Sequence, residues 1–285
     1  MKKILFILFT PVFLLFACDE IAPVISPQVP VGSDVCELEV DVANQERNVI
    51  IEEFTGVRCI NCPSGAEEIE NIIAEIGDRV KPVALHAGEF SPPYPESLYD
   101  FRTTDGTGLF NFIGPAFAYP ASAVNRVAHN PSNNIIPVIG KDNWQPLVIS
   151  ELAKPLTIKL GIAHIYKADS MKLDICAKVF PQIDITDEDV RVTVMITEND
   201  IIDYQSTEQG KKSDYKHKHV MREIVSAAEG NLITEAMTAG AEISLAFTTT
   251  IPADWNVDNC EIVVMVHKGG DAKDVFQVET AHLVE

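Results

Sequence analysis

The chain has 285 residues, 46% of them apolar, with 22 Lys and Arg against 42 Asp and Glu and a formal charge of −20. That apolar content excludes a fully disordered chain, and the length accommodates two ordinary domains. The acidic excess excludes wrapping a phosphate backbone, which needs a positive footprint, so nucleic acid is not an expected partner.

Met1-Lys2-Lys3 supplies a positive start, and Ile4 to Phe16 is apolar apart from Thr10 and Pro11 before the chain turns polar at Asp19-Glu20. This is the pattern of a secretion signal over residues 1–17, too short for the roughly 20 residues of a membrane-spanning helix. Leu15-Phe16-Ala17-Cys18 resembles a lipobox, although Phe16 stands where a smaller residue is commoner. Cys18 is therefore the expected lipid attachment site and the membrane contact. Loss of residues 1–17 removes Lys2 and Lys3 and leaves 20 basic against 42 acidic residues, a charge of −22 that repels anionic lipid surfaces and leaves attachment to the acyl chains. Residues 18–35, with Pro23, Pro27, Pro30 and Gly32, read as an extended tether.

From Cys36 the apolar residues Cys36, Leu38, Val40 and Val42 alternate with acids, which predicts a half-buried strand with Cys36 as a small buried hydrophobe. A strand is expected at Asn48 to Phe54, then a cysteine-containing turn, then a helix from Cys62 to Ile76 with Ile69, Ile72, Ile73 and Ile76 as its stripe. Val80 to His86 reads as a second buried strand, completing a β-α-β unit. Residues 91–118, rich in Pro, Gly and aromatics, look like an inserted helical or looped segment, placed to cover a site at the turn. Ala121 to Val127 resumes strand character, and a helix is expected from Asp142 to Ala153 with Asp142 as N-cap. From Pro155 the period switches to two, at Leu156 to Ile162, Met171 to Val179, Val190 to Ile196, Ile243 to Phe247 and Ile262 to Val266, which predicts an antiparallel sandwich over 155–285.

Cys59-Ile60-Asn61-Cys62 lies between a buried strand and a helix. A helix N-terminus favours a thiolate, the attacking species in disulfide exchange, and a second cysteine one turn on can resolve the mixed disulfide. No second Cys-x-x-Cys or His-x-x-x-His completes a metal site, so neither metal nor cofactor is expected. A static disulfide stapling the helix start is the competing reading, and either way the bridge is expected to be small and exposed. His86 ends a strand beside Gly88, where a positive imidazole could support a thiolate or a hydrogen-bonded one simply cap the sheet. His217 and His219 read as one solvated strand face rather than a metal site, and Asp184, Asp187, Glu188 and Asp189 as a charged turn rather than a calcium loop. A bridge between Cys176 and Cys260 is opposed by the alternation, which puts Cys176 with Lys172, Asp174 and Lys178 on a polar face.

These residues resemble the thioredoxin-like family. Ile50-Ile51-Glu52-Glu53-Phe54 is similar to its central strand, with Glu53 six positions before Cys59 where that family keeps a buried proton-relaying acid, usually Asp. Tyr119-Pro120 resembles the family's cis-proline loop facing the cysteines. The resemblance implies Cys59 as nucleophile, Cys62 as resolving thiol, Glu53 as proton carrier, Pro120 as substrate-positioning residue, and envelope proteins or peptides bearing thiols or disulfides as partners. Arg58 and Ile60-Asn61 depart from the family's Trp-Cys-Gly-Pro-Cys pattern, so its redox potential does not carry over.

The lipobox, Glu-Glu-Phe-Thr-Gly, Cys-x-x-Cys-Pro, His86-Ala87-Gly88 and the run from Tyr119 to Arg126 together resemble the Omp28-related outer-membrane lipoprotein family over nearly all of the mature chain. That resemblance implies a Gram-negative outer-membrane address, periplasmic or at the cell surface. It also implies a thioredoxin-like domain over 36–154 followed by an immunoglobulin-like domain over 155–285. Adhesion is the role suggested for that family, so a surface adhesin or assembly component with a structural Cys59–Cys62 bridge stands beside the exchange reading.

Overall fold

A computed structural model describes residues 33–114, 116–128, 135–136, 140–187 and 189–284. The expected signal segment 1–17, Cys18, the tether up to residue 32 and Glu188 lie outside the described residues.

Strand β1 (Val49–Thr55) is buried along its whole length, as its run of Val, Ile and Phe requires of a strand covered on both faces. Helix α1 (Cys62–Ile76) follows, with Pro63 in its first turn and Gly77 in positive φ donating its N–H to the Ile73 carbonyl. Strand β2 (Val80–His86) then pairs parallel to β1, with Val49 opposite Val80 and Thr55 opposite His86. Within 91–118 lies helix α2 (Thr104–Ile113), capped by Thr103 Oγ1 accepting from the Gly106 N–H. Strand β3 (Ala121–Val124) runs antiparallel to β1. It ends before the expected Val127 because Asn125 and Arg126 adopt positive φ. Helix α3 (Trp144–Leu152) starts two residues after Asp142, which belongs to a preceding 3₁₀ turn, and Asn143 rather than Asp142 precedes it.

The strands after residue 155 are β4 (Ile158–Lys167), β5 (Lys172–Pro181), β6 (Val190–Glu198), β7 (Ile201–Thr207), β8 (Gly210–His217), β9 (Val220–Ile224), β10 (Asn231–Leu232), β11 (Ile243–Thr250), β12 (Cys260–Lys268) and β13 (Val275–His282). The result is a mixed α/β sheet with parallel pairs, accompanied by two smaller antiparallel sheets. The large sheet runs β13-β12-β6-β9-β2-β1-β3, with β10 also on β6; β11-β5-β4 form a second sheet, and β7-β8 a hairpin. The described residues form one compact unit. The expected junction at 154/155 falls between α3 and β4, yet sheet and core both cross it. Strand β9 pairs parallel with β2, and Ile50, Phe54, Leu85 and Leu109 share a cluster with Met195, Met221, Val263 and Val278. A separate core joins β4 and β5 to the inward residues of β6 and β12. On the other face of β1, Val49 and Ile51 pack against Ile69, Ile72 and Trp144.

Two readings of the N-terminal segment are corrected. Residues 36–42 are not a strand: a 3₁₀ turn spans Ser33–Glu37 and the following chain lies irregularly. Cys36 is not a lone hydrophobe but is bonded to Cys176, across 140 residues of sequence. Cys260 is a free, buried thiol and does not pair with Cys176, in keeping with the alternation that puts Cys176 on a polar face. That face is nevertheless covered, because Val35, Cys36 and Val40 pack over Ala163 and Cys176. Gly161 admits Val40 so closely that a methyl group there would lie 2.5 Å from the Val40 side chain.

Among the described residues, Arg126 and Glu52 form a fully buried ion pair. Their side chains are 0% exposed and form a two-pronged pair, Nε to Oε2 at 2.7 Å and Nη2 to Oε1 at 2.6 Å. Arg47 is likewise stitched inward, donating to the carbonyls of Glu151, Phe276 and Val275.

Removing one partner of a buried pair strands the other. Glu52→Ala should therefore lower unfolding free energy by about 3–5 kcal/mol in denaturant titration, and a loss under 1 kcal/mol would refute that role. Replacing Cys36 and Cys176 with Ser should cost about 2–5 kcal/mol, read the same way, since the bridge closes a long loop.

Candidate functional site: the Cys59–Cys62 turn and the cavity behind it

β1 delivers the chain to residues 56–61 at the carboxyl end of the parallel pair, the edge where open α/β sheets place their sites. Here Cys59 and Cys62 are joined, with Cα atoms 5.4 Å apart, and Cys62 is the first residue of α1. The expectation of an exposed bridge is corrected: Cys59 is 3% and Cys62 2% exposed, while Ile60 and Asn61 between them face solvent.

Two segments are fastened to the turn that carries the bridge. In residues 90–93, the Phe90 carbonyl accepts from the Arg58 backbone N–H, and the Pro92 and Pro93 carbonyls accept from its guanidinium. The larger cover is the β7-β8 hairpin, which the sequence reading did not identify. Ser206 N–H donates to the Val57 carbonyl at 2.7 Å, and Gln205 Nε2 donates to the carbonyls of Cys59 at 2.9 Å and Gly56 at 3.3 Å. Asp203 accepts from the N–H groups of Leu98 and Tyr99, fastening hairpin and inserted segment together. The hairpin's inward residues Asp203, Gln205 and Thr207 are buried and polar, so hydrophobic periodicity could not flag them. The available signal was Gly210, in positive φ at the turn between two polar alternating runs.

Glu53 points from β1 toward α1 and is 2% exposed, with no hydrogen-bond partner for Oε1 among the described residues. Burial pushes its carboxyl pKa up to about 8. Tyr119-Pro120 is cis, and Gly65 shows where the three elements meet. A methyl group on Gly65 would lie 2.7 Å from both Glu53 Oε1 and Pro120 Cβ. The fold thus brings Cys59, Cys62, Glu53 and Pro120 to one place.

Behind Cys62 is a cavity of about 190 Å³ lined by Glu53, Cys62, His86, Gln205, Tyr215 and His217. His86 is buried between Phe101 and His217, with ring centroids 4.8 and 5.8 Å away. Burial, then the His217 charge, drive its pKa down to about 3, so the positive imidazole considered from the sequence is replaced by a neutral one. Nor is His217 on a solvated face. It is buried, with a pKa lowered to about 4 by desolvation, whereas His219 lies beyond a turn in positive φ and contacts Glu70 Oε1 at 3.1 Å. Among the described residues no three His, Cys, Asp or Glu side chains are arranged to hold a metal ion.

These shifts give opposite pH dependences. Glu53 loses its proton near 4.5 when unfolded and near 8 when folded, so its contribution to stability is full below about pH 4.5 and declines as pH rises to 8. His86 and His217 contribute fully above 6.5 and lose their contribution as pH falls through 4 and toward 3. Thermal melts should therefore show stability declining between pH 6.5 and 8 in the wild type. Glu53→Gln should flatten that decline, and an unchanged slope in the variant would refute the assignment.

Among solved structures, HBP35 of Porphyromonas gingivalis is 14% identical with a TM-score of 0.67, covering 83% of this chain and 75% of its own. A protein of Agrobacterium tumefaciens is 12% identical with a TM-score of 0.51, covering 85% of this chain and 97% of its own. At such identities the likeness is one of fold. A domain of the outer membrane lipoprotein Omp28 from Porphyromonas gingivalis aligns with 44% of this chain and 94% of its own, at 17% identity and a TM-score of 0.32. No curated protein matches. Residues 115–285, more than half of the chain, match the family model described as Outer membrane protein Omp28, and the chain belongs to that outer-membrane lipoprotein family.

Proposed function

We propose that this is a lipid-anchored envelope protein, held in the outer membrane by Cys18, that carries out thiol–disulfide exchange at Cys59 and Cys62. In this reading residues 36–154 act as a thioredoxin-like module and 155–285 as an immunoglobulin-like binding or spacer module. The partners are envelope proteins or peptides bearing thiols or disulfides.

The observation that carries the reading is Glu53. A carboxyl group buried with an oxygen unpaired costs about 1–3 kcal/mol, and a structural staple gains nothing from it. Beside a dithiol site, a carboxyl protonated near neutral pH is a proton source. The disulfide form suits acceptance of electrons from a partner dithiol. A partner thiolate attacks Cys59 Sγ, the Cys59–Cys62 bond breaks, and its electron pair leaves on Cys62 Sγ, which takes the Glu53 proton. The partner's second thiol loses its proton to solvent and attacks the partner sulfur of the mixed disulfide, and Cys59 departs as a thiolate favoured by the α1 N-terminus. The partner is oxidised and the pair reduced by two electrons, and the reverse sequence oxidises the pair.

One observation favours the rival reading, an adhesin or assembly component with a structural bridge: both sulfurs are covered, and Gln205 and Ser206 fasten the loop that bears them. Alkylation mass shifts of the full-length protein in detergent, measured across thiol/disulfide buffers, separate the two. A potential of about −270 to −120 mV is expected for exchange. A potential below about −300 mV, or reduction only after denaturation, would mark a structural bridge.

A further inference from the structure

We propose that the β7-β8 hairpin completes the redox site, and that Glu53, His86 and His217 line a hydrated cavity through which Cys62 and Glu53 exchange protons with solvent. The proposal rests on the exchange reading given above.

Three buried polar atoms converge on the cavity from three strands: Glu53 Oε1 from β1, His86 Nδ1 from β2 and His217 Nε2 from β8. None has a hydrogen-bond partner among the described residues. Buried polar atoms are almost always paired, with protein or with water. The cavity's volume of about 190 Å³ is far above the roughly 10–15 Å³ that one water needs, so water can serve all three atoms. Cys62 Sγ, the sulfur that must gain or lose a proton, belongs to a residue lining the same space.

The charged surroundings favour neutral carriers. His86 is faced by His217 on β8, and feels the charges of Arg222 on β9 and Asp100 in the segment before α2. His217 is faced by Asp203 on β7 and by Tyr215 of its own strand. Tyr215 also feels Glu53, Glu67 and Glu70. Each neutral imidazole is anchored by a backbone hydrogen bond, His86 to Ala84 and His217 to Tyr204, and takes up and returns a proton on its unpartnered nitrogen, which faces the cavity. At the mouth, Glu70 pairs with Lys218 and His219, and Lys216 stands beside them. The route therefore ends at partly exposed groups, among them Glu70, whose carboxyl pKa the hydrogen bond to His219 helps to lower to about 2.

When Cys62 takes the proton of Glu53, the resulting carboxylate is buried without a counter-ion. A proton returning from solvent through the cavity restores it. The step adds one proton and moves no electrons, so its balance needs only water. The hairpin's Gln205, Tyr215 and His217 supply the part of the wall that β1, β2 and α1 leave missing.

The test uses the full-length protein in detergent, with dithiothreitol as the dithiol, following reduction by alkylation mass shift from pH 5 to 9 in H₂O and D₂O. After correction for the dithiothreitol thiolate fraction, His217→Phe should slow reduction at pH 7 about tenfold or more and raise the solvent isotope effect, with the equilibrium potential unchanged. A role limited to packing would move stability and leave the isotope effect alone. His217→Gln, which hydrogen-bonds but cannot relay, should reproduce the slowing and serves if the Phe variant does not fold. Wild-type rates and isotope effects in a folded variant would overturn the relay while leaving exchange intact. A wild-type pair that stays oxidised in the folded protein would overturn both.

Discussion

The outer edge of β2 is the constraint on which the arrangement depends. A parallel β1-β2 pair clothed in helices leaves one row of β2 backbone groups unpaired, and an open edge invites association with another chain. Here the edge is closed from within the same molecule. Ala84 pairs with Val220, and the Ala84 N–H donates to the His219 carbonyl at 2.7 Å. That short contact brings β9 and its neighbours β6, β12 and β13 into one sheet with β1 and β2. It also fixes where the chain must be just before residue 219, which sets the end of β8 over the carboxyl edge of β1 and β2. The cover on the cysteine turn thus follows from closing a sheet edge.

Within β1, two adjacent acids meet opposite fates because a strand alternates its faces. Glu52 points with Ile50 and Phe54 and finds Arg126, whose two-pronged geometry satisfies both carboxylate oxygens. Glu53 points the other way, toward the Gly65 turn of α1, and finds no cation. One acid is held in a two-pronged ion pair, and its neighbour is buried with an oxygen unpartnered among the described residues. Nothing in the dipeptide distinguishes them; only the register of β1 against α1 and β3 does.

The β-α-β unit and the cysteine turn were legible in local periodicity and punctuation, whereas Glu53 and the Tyr119-Pro120 loop were legible only through the resemblance to the thioredoxin-like family. What escaped depends on contacts distant in sequence. Cys36 through Val42 alternates as a strand does, yet the segment is an overlay on β4 and β5 and pairs with no ladder. The face of β5 bearing Lys172, Asp174, Cys176 and Lys178 reads as solvent-facing. Asp174 and Lys178 are nonetheless buried, served by Lys167, Thr248 and Glu242. The hairpin escaped for the same reason, since its buried face is polar and its satisfaction comes from backbone groups some 100 to 150 residues earlier in the chain. His217 becomes a site residue only through that placement.

The Cys36–Cys176 bridge also governs how the protein bears tension. In a chain tethered by its N-terminus, any pull would arrive at Ser33–Glu37 and pass through the covalent link into β5, the middle strand of its three-stranded sheet. Residues 37–48, which lead into β1, are thereby short-circuited and carry no load. Drag on the protein body would then be resisted by the interstrand bonds on both sides of β5, far along the chain from the cysteine turn. The bridge thus acts as a strain relief for the segment that leads into β1.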